Sequence, residues 1–253
     1  MGPLNIVVPM AGLGSRFARE GFTTPKPLIP VRGVPMIRLV IANVTPRRAH
    51  RFIFICQRAH VRDYGLAPLL KAWAPGCAIV ELDGLTEGAA CTVLAAEAEL
   101  APDAPMMIVN SDQWVDVPID DYLATMDSPA VDGLIMTMTA NDPKWSFAEV
   151  KDGRVLRVVE KEVISDEATV GIYNFARSAD FVAGAHEMIG LNQRVNNEFY
   201  VAPVYNLLIG KGAQVVIHNI GSEGAGMYGL GIPSDLQHFL TLPVATKATA
   251  GLT

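Results

Sequence analysis

Through the first half of the chain, short apolar runs of strand length alternate with segments of helix length. This alternation narrows the choice of fold more than any other feature. Asn5–Pro9 (N-I-V-V-P) is an apolar run that ends in a glycine loop, and Pro35–Val44 reads as a helix. Arg51–Cys56 (R-F-I-F-I-C) reads as a second buried strand, His60–Trp73 as a helix and Ala78–Leu82 as a third strand. Gly88–Leu100 is an alanine-rich helix, Met106–Asn110 a fourth strand and Ile119–Met126 a short helix. Strands bounded by loops and separated by helices predict a mostly parallel sheet covered on both faces. Right-handed crossovers then collect the loops at the carboxyl ends of the strands along one edge, where open α/β sheets bind their ligands.

The second half is richer in strands. Leu134–Ala140, Phe147–Lys151, Val155–Glu160 and Thr169–Phe175 read as strands, with Lys151-Asp-Gly-Arg154 as a hairpin turn. Ala179–Gly190 and Val201–Ile209 read as helices, Gln214–Ile220 as a late strand and Pro233–Leu240 as a last helix. No repeat or low-complexity linker separates the halves. The working division is one unit over residues 1–253, with a half at about 1–130, a second half at about 131–242 and a patternless tail at 243–253.

Half of the 253 residues are hydrophobic and only 18% are charged, which suits an ordered globule. The net charge is −6 without a Lys/Arg run, which argues against nucleic acid or an acidic membrane surface as partner. No apolar run approaches the roughly 18 residues of a membrane-spanning helix, so no membrane insertion is expected. Three cysteines without a C-x-x-C pair, and an N-terminus without a basic or apolar leader pattern, predict free thiols in the cytoplasm. The five histidines are scattered without metal-ligand spacing. Self-association is left open.

The strongest local signal is Pro9-Met-Ala-Gly-Leu-Gly-Ser-Arg16, followed by Thr24-Pro-Lys-Pro-Leu28. Glycines directly after a strand let backbone N–H groups approach an anion closely. Arg16 adds a bidentate phosphate donor, and Lys26 a compact charge stiffened by a proline on each side. A dinucleotide-binding loop fits poorly, because Phe17 stands where the third small residue belongs and the second strand ends in Cys56-Gln57 without a ribose-binding acid. A Walker P-loop is absent. A plain surface turn explains the glycines but not Arg16 and Lys26 together.

The G-x-G-x-R loop followed by P-K-P-L resembles the signature of the sugar-phosphate nucleotidyltransferase family. Members transfer NMP from an NTP to a sugar 1-phosphate or a related phosphate and release pyrophosphate. The resemblance implies a Rossmann-like three-layer α/β/α sandwich with a mixed, mostly parallel central sheet, GT-A-like in outline. It further implies that Arg16 binds the β- and γ-phosphates and Lys26 the region of the α-phosphate. Ala11, Gly12, Leu13, Gly14 and Ser15 would line the nucleotide. Gly84-Leu-Thr-Glu-Gly-Ala-Ala90 is similar to the family's base-contacting segment, which brings in Thr86, Glu87 and Gly88. Glu87, with acceptors only, suits cytosine or guanine slightly better than adenine, or else it complements a helix N-terminus. Asn110-Ser-Asp-Gln113 resembles the acidic turn that binds Mg²⁺, with Asp112 as metal ligand and Ser111 beside the nucleotide. One or two acids suffice for Mg²⁺, which takes phosphate oxygens and water for the rest.

In the second half, Val159-Glu-Lys161 resembles the pair in which the glutamate (Glu160) bonds acceptor hydroxyls and the lysine (Lys161) holds the acceptor phosphate. Gly171, in Thr169-Val-Gly-Ile-Tyr173, would face the acceptor. Glu198, in Asn197-Glu-Phe-Tyr200, would reach a sugar hydroxyl. The expected partners are therefore an NTP and a small phosphorylated acceptor, the cofactor Mg²⁺, and the product an activated precursor for surface polysaccharide. One departure stands out. Many relatives carry a second metal-binding Asp late in the chain, whereas Met227-Tyr-Gly-Leu-Gly-Ile-Pro233 has glycine at Gly229 and nearby. Either Asp112, water and phosphates suffice, or Asp116 or Glu198 helps. Two other readings stay open at this point: a sugar-nucleotide-dependent glycosyltransferase, although Asp112-Gln-Trp lacks a D-x-D, and a non-catalytic nucleotide sensor.

Overall fold

A computed structural model of the chain describes residues 2–128 and 130–252. In the first half the order is β1 (Leu4–Pro9), α1 (Ser15–Arg19), β2 (Pro30–Val31), β3 (Val34–Pro35), α2 (Met36–Val44), β4 (His50–Gln57), α3 (Arg58–Tyr64), α4 (Leu66–Trp73), β5 (Ala78–Leu82), α5 (Ala89–Leu94), β6 (Met106–Val109), β7 (Gln113–Val115) and α6 (Ile119–Ala124). There follow β8 (Gly133–Thr139), β9 (Ser146–Lys151), β10 (Arg154–Glu160), β11 (Glu167–Phe175), α7 (Ser178–Gly190), α8 (Val204–Gly210), β12 (Val215–Glu223), β13 (Gly226–Gly229), α9 (Pro233–Thr241) and α10 (Val244–Thr249).

The main sheet runs β5-β4-β1-β6-β11-β8-β12-β13-β7. β1 pairs in parallel with β4 and β6, and β4 with β5. β11 runs against both β6 and β8, which makes the sheet mixed but mostly parallel, as expected. The period of two along each central strand divides the core between the two faces. Ile6 and Val8, Phe54 and Cys56, and Met107 and Val109 pack on one side. Val7, Ile53 and Ile55, and Met106 and Ile108 pack on the other. Strands buried on both faces read as continuous apolar runs, which is how they appear in the sequence. The β9–β10 hairpin turns at Asp152-Gly153, both with positive φ, as the turn signal predicts.

Several boundaries differ from the sequence reading. The helix expected over His60–Trp73 breaks at Gly65, whose left-handed backbone ends α3 and starts α4. The helix expected over Gly88–Leu100 stops at Leu94 and resumes as a 3₁₀ turn over Glu97–Glu99. The helix expected from Val201 starts at Val204, after Pro203. β7 and β13 are short strands absent from the sequence reading. They pair with each other and bring residues 226–229 against 113–115.

The expected loose tail is instead the helix α10, with Ala245, Ala248 and Thr249 buried. It closes a third cluster in which Phe17, Trp114, Leu236 and Phe239 are buried. Removing residues 243–253 therefore uncovers an apolar surface. We expect a loss of about 2 kcal/mol, or a fall in Tm of about 4–8 °C, measured by thermal unfolding. An unchanged Tm would show that the tail contributes nothing.

Candidate active site

The carboxyl ends of β1, β4, β5 and β6 lie along one edge of the sheet, because the three parallel pairings hold them in register. Four segments leave that edge: residues 10–14, Gln57, residues 83–88 and residues 110–112.

After β1, Gly14 takes a left-handed conformation and its carbonyl accepts the Ala18 N–H at 3.1 Å, which starts α1. A Cβ there would stand 3.1 Å from Lys26 Cβ, so the loop rests directly on the Lys26 segment. Pro25, Pro27 and a 3₁₀ turn over Lys26–Leu28 stiffen that segment. Lys26 Nζ pairs with Asp112 Oδ2. Arg16 is exposed on α1 and makes no ion pair among the described residues. Gly12, Gly14, Lys26, Asn110, Ser111 and Asp112 line a cavity of about 230 Å³. Ala11 is buried at its base, Leu13 is exposed, and Ser15 opens α1.

Asp112 sits just before β7. The Gly231 backbone packs closely against its carboxylate. A Cβ on Gly231 would lie 2.6 Å from Asp112 Oδ2 and 3.7 Å from Lys26 Nζ. Residues Met227–Pro233 carry no acid, so this stretch supplies no second carboxylate beside Asp112. Of the acids considered as substitutes, Asp116 lies beyond the other end of β7, pairs with Lys247 and borders a different cleft. It does not serve this site. Among the described residues no group of three or more His, Cys, Asp or Glu forms a metal cage. A single carboxylate lining this cavity nevertheless fits a divalent cation that takes its other ligands from phosphate and water.

The segment after β5 is tied down at several points. The Thr86 hydroxyl donates to the Gly88 carbonyl at 2.9 Å and shares a hydrogen bond with Thr92 at 2.6 Å. A Cβ on Gly88 would stand 2.5 Å from the Phe199 backbone, and its φ of 132° is one that other residues rarely adopt. Glu87 pairs with Arg194, which also covers the Phe199 ring at 4.2 Å. Its carboxylate already has a partner in the chain, which weakens the reading of Glu87 as a free base-reading acceptor.

A second cavity, of about 270 Å³, adjoins the first. Glu160 and Lys161 line it together with Gly171, Ser146, Tyr173 and Tyr200. Glu160 is buried and accepts a hydrogen bond from Ser146 Oγ. Lys161 Nζ lies 3.6 Å from Glu160, donates to the Lys144 carbonyl and sits 5.7 Å from the Tyr200 ring centre. The Tyr173 and Thr169 hydroxyls share a hydrogen bond of 2.9 Å on the cavity floor. Glu198 is exposed on the neighbouring loop rather than in the wall. Burial and the nearby Glu198 and Glu160 charges push the Tyr200 hydroxyl up to about 12.

Asn110 belongs to both cavities. Its N–H donates to the Gly171 carbonyl at 3.0 Å, and its side-chain amide fills the space that a Cβ on Gly171 would need. Asn110 stood inside a recognised motif, yet nothing in the sequence distinguished it from Ser111. Ser146, Tyr173 and Arg194 were missed because they reach the site only through the pairing of β9, β10 and β11 and the folding of the 193–200 loop.

Burial, outweighing the Ser146 hydrogen bond and the Lys161 charge, holds the Glu160 carboxyl above its ordinary range. An acid whose folded pKa is raised costs stability above that pKa and costs nothing below its unfolded value. Glu160→Gln should therefore raise Tm at pH 7, with the gain fading below about pH 4, while acceptor affinity falls. A Tm at pH 7 that is unchanged or lower would show that Glu160 is not held at a cost.

Residues 7–189 match the family model described as nucleotidyl transferase. The fold is similar to that of the nucleoside-diphosphate-sugar pyrophosphorylase from Vibrio cholerae, at 25% identity and a TM-score of 0.79, over 94% of this chain and 100% of that one. It is also similar to the inositol-1-phosphate CTP transferase from T. maritima, at 15% identity and a TM-score of 0.76, over 99% and 97% of the two chains. A UDP-glucose pyrophosphorylase aligns over the whole of both chains at 16% identity and a TM-score of 0.75. No curated protein sequence matches the chain. Among the described residues no helix is long and apolar enough to cross a membrane.

Proposed function

The chain belongs to the nucleotidyl transferase family, and from that premise we propose that it transfers NMP from an NTP to a sugar 1-phosphate or a similar small phosphate. The observation that carries this reading is the pair of adjoining cavities. One is built from the phosphate loop with Lys26 and Asp112, the other from Glu160 and Lys161, and Asn110 lines both. Residues of the first half (about 1–130) serve the nucleotide, and residues of the second half (about 131–242) serve the acceptor.

The reaction is a single displacement. An acceptor phosphate oxygen forms a new bond to the α-phosphorus, and the bond from that phosphorus to the α,β-bridging oxygen breaks. Pyrophosphate leaves with both electrons of that bond. The acceptor phosphate is already ionised at neutral pH, so no general base is required. What the protein must provide is alignment and compensation of charge. Backbone N–H groups of residues 11–15 and the Arg16 guanidinium hold the departing phosphates. Lys26 turns from Asp112 to the α-phosphate once a nucleotide supplies a stronger anion. Lys161 orients the acceptor phosphate, and Glu160 and Glu198 accept hydrogen bonds from acceptor hydroxyls. Asp112 holds the divalent cation, Mg²⁺ in this reading, which when bound supplies Lewis-acid stabilisation of the phosphate oxygens. The product is an activated nucleotide-linked precursor of the kind consumed in surface polysaccharide synthesis.

The test is pyrophosphate release with CTP, UTP, dTTP, GTP and ATP against a panel of sugar 1-phosphates and small polyol or amino-alcohol phosphates. One nucleotide–acceptor pair should give release, lost in EDTA and restored by Mg²⁺. Arg16→Ala and Lys26→Ala should each lower kcat by about 10²–10³-fold at unchanged Tm. Lys26→Ala keeps the Cβ on which Gly14 rests, so the loop remains seated. Near-normal rates in both variants would overturn the assignment.

A further inference from the structure

Gln57 ends β4 at the same sheet edge and is only 6% exposed. Its side-chain nitrogen donates to the Ala11 carbonyl at 2.5 Å and to the Gly84 carbonyl at 3.1 Å. Both partners are carbonyl oxygens, which only accept, so the NH₂ end of the amide must face them, and its two hydrogens are both used. Among the described residues no other hydrogen bond joins residues 11–14 to residues 83–88. The far end of the 83–88 segment is anchored elsewhere. The Phe199 N–H donates to the Glu87 carbonyl at 2.8 Å, and the Ala90 N–H to the Phe199 carbonyl at 3.0 Å. One amide therefore sets how far the phosphate loop stands from the segment after β5.

Each of the two joined segments carries one large exposed apolar side chain next to the carbonyl that Gln57 holds or close by. Leu13 is 60% exposed and Leu85 is 64% exposed. Exposed leucines on the two joined segments offer apolar surface that a flat apolar ligand face such as a nucleobase can cover.

We infer, on the nucleotidyl-transfer reading above, that Gln57 is a positioning residue for the nucleotide, setting the spacing between the loop at residues 11–14 and the segment at residues 83–88. It does not touch the reacting atoms. It acts by holding the Ala11 and Gly84 carbonyls at fixed separation, so that both segments meet the nucleotide at once. Gln57→Met keeps length and apolar volume but loses both donors. Gln57→Glu goes further and sets a carboxylate against two carbonyl oxygens.

Two readouts separate this from a purely structural role: steady-state kinetics with NTP and acceptor varied independently, and amide hydrogen exchange of the nucleotide-free protein. Gln57→Met should raise the NTP KM about tenfold, and Gln57→Glu more, with acceptor KM and kcat within about twofold of wild type. Exchange should quicken in residues 11–14 and 84–88 and stay unchanged in β1 and β6. An unchanged NTP KM in Gln57→Glu, or NTP and acceptor KM rising together, would overturn the inference. If the wild-type protein releases pyrophosphate with no pair, the nucleotidyl-transfer reading fails instead. The exchange data then decide the clasp by themselves, and unaltered exchange at 84–88 would refute it.

Discussion

The parallel pairing of β1 between β4 and β6 is the constraint on which everything else rests. With Pro9 opposite Ile55 and Val7 opposite Ile108, the carboxyl ends of three strands come out side by side. The glycine loop after β1, Gln57 and the Asn110–Asp112 turn are neighbours for that reason alone. The apolar alternation that buries these strands on both faces also fixes which residues emerge at their ends. A one-residue slip would send Val7 and Ile53 to the opposite core. Core and site are thus set by the same register.

Charge is handled with few groups. The protein is acidic overall, yet the cavity proposed for the nucleotide phosphates is lined by Gly12 and Gly14, with the Lys26–Asp112 ion pair at its edge. That pair leaves the cavity close to neutral before an anion arrives. On the proposed function, a cation would meet one carboxylate, Asp112, at the edge of the cavity that it lines with Gly12, Gly14 and Lys26. Such an arrangement leaves most of the coordination to the phosphates of the ligand itself. The cavity proposed for the acceptor follows a different rule. There a buried carboxylate is kept by a serine hydroxyl and a neighbouring lysine at some cost in stability, a common bargain where polar groups must be ready for a ligand.

Much of this was legible in the sequence. The central strands announce themselves as V-V-P, F-I-F-I-C and M-M-I-V, because burial on both faces leaves no polar alternation to confuse them. The Asp152-Gly153 turn required positive φ at both residues and carried the signal for it. Asp112, Lys26, Glu160 and Lys161 stand in motifs, and the fold brings them to adjoining cavities. What was not legible depends on long-range geometry. β7 and β13 are too short to show a period. α10 looks patternless because its stability comes from packing beneath Trp114 and Phe239 rather than from its own composition. Gln57 and Asn110 are ordinary amides until the topology supplies the carbonyls and the glycine against which they fit. Arg194 meets Glu87 only because Phe199 threads its backbone between Glu87 and Ala90.

The central claim is a single displacement in which nucleotide and acceptor react directly across adjoining cavities, without a covalent enzyme intermediate. The stereochemical course at the α-phosphorus tests it most directly. An NTP bearing sulfur in one configuration at the α-phosphate would be converted with its preferred acceptor and the product configuration determined by ³¹P NMR. The account predicts inversion. Retention would require two successive displacements through a nucleotidylated side chain and would contradict it.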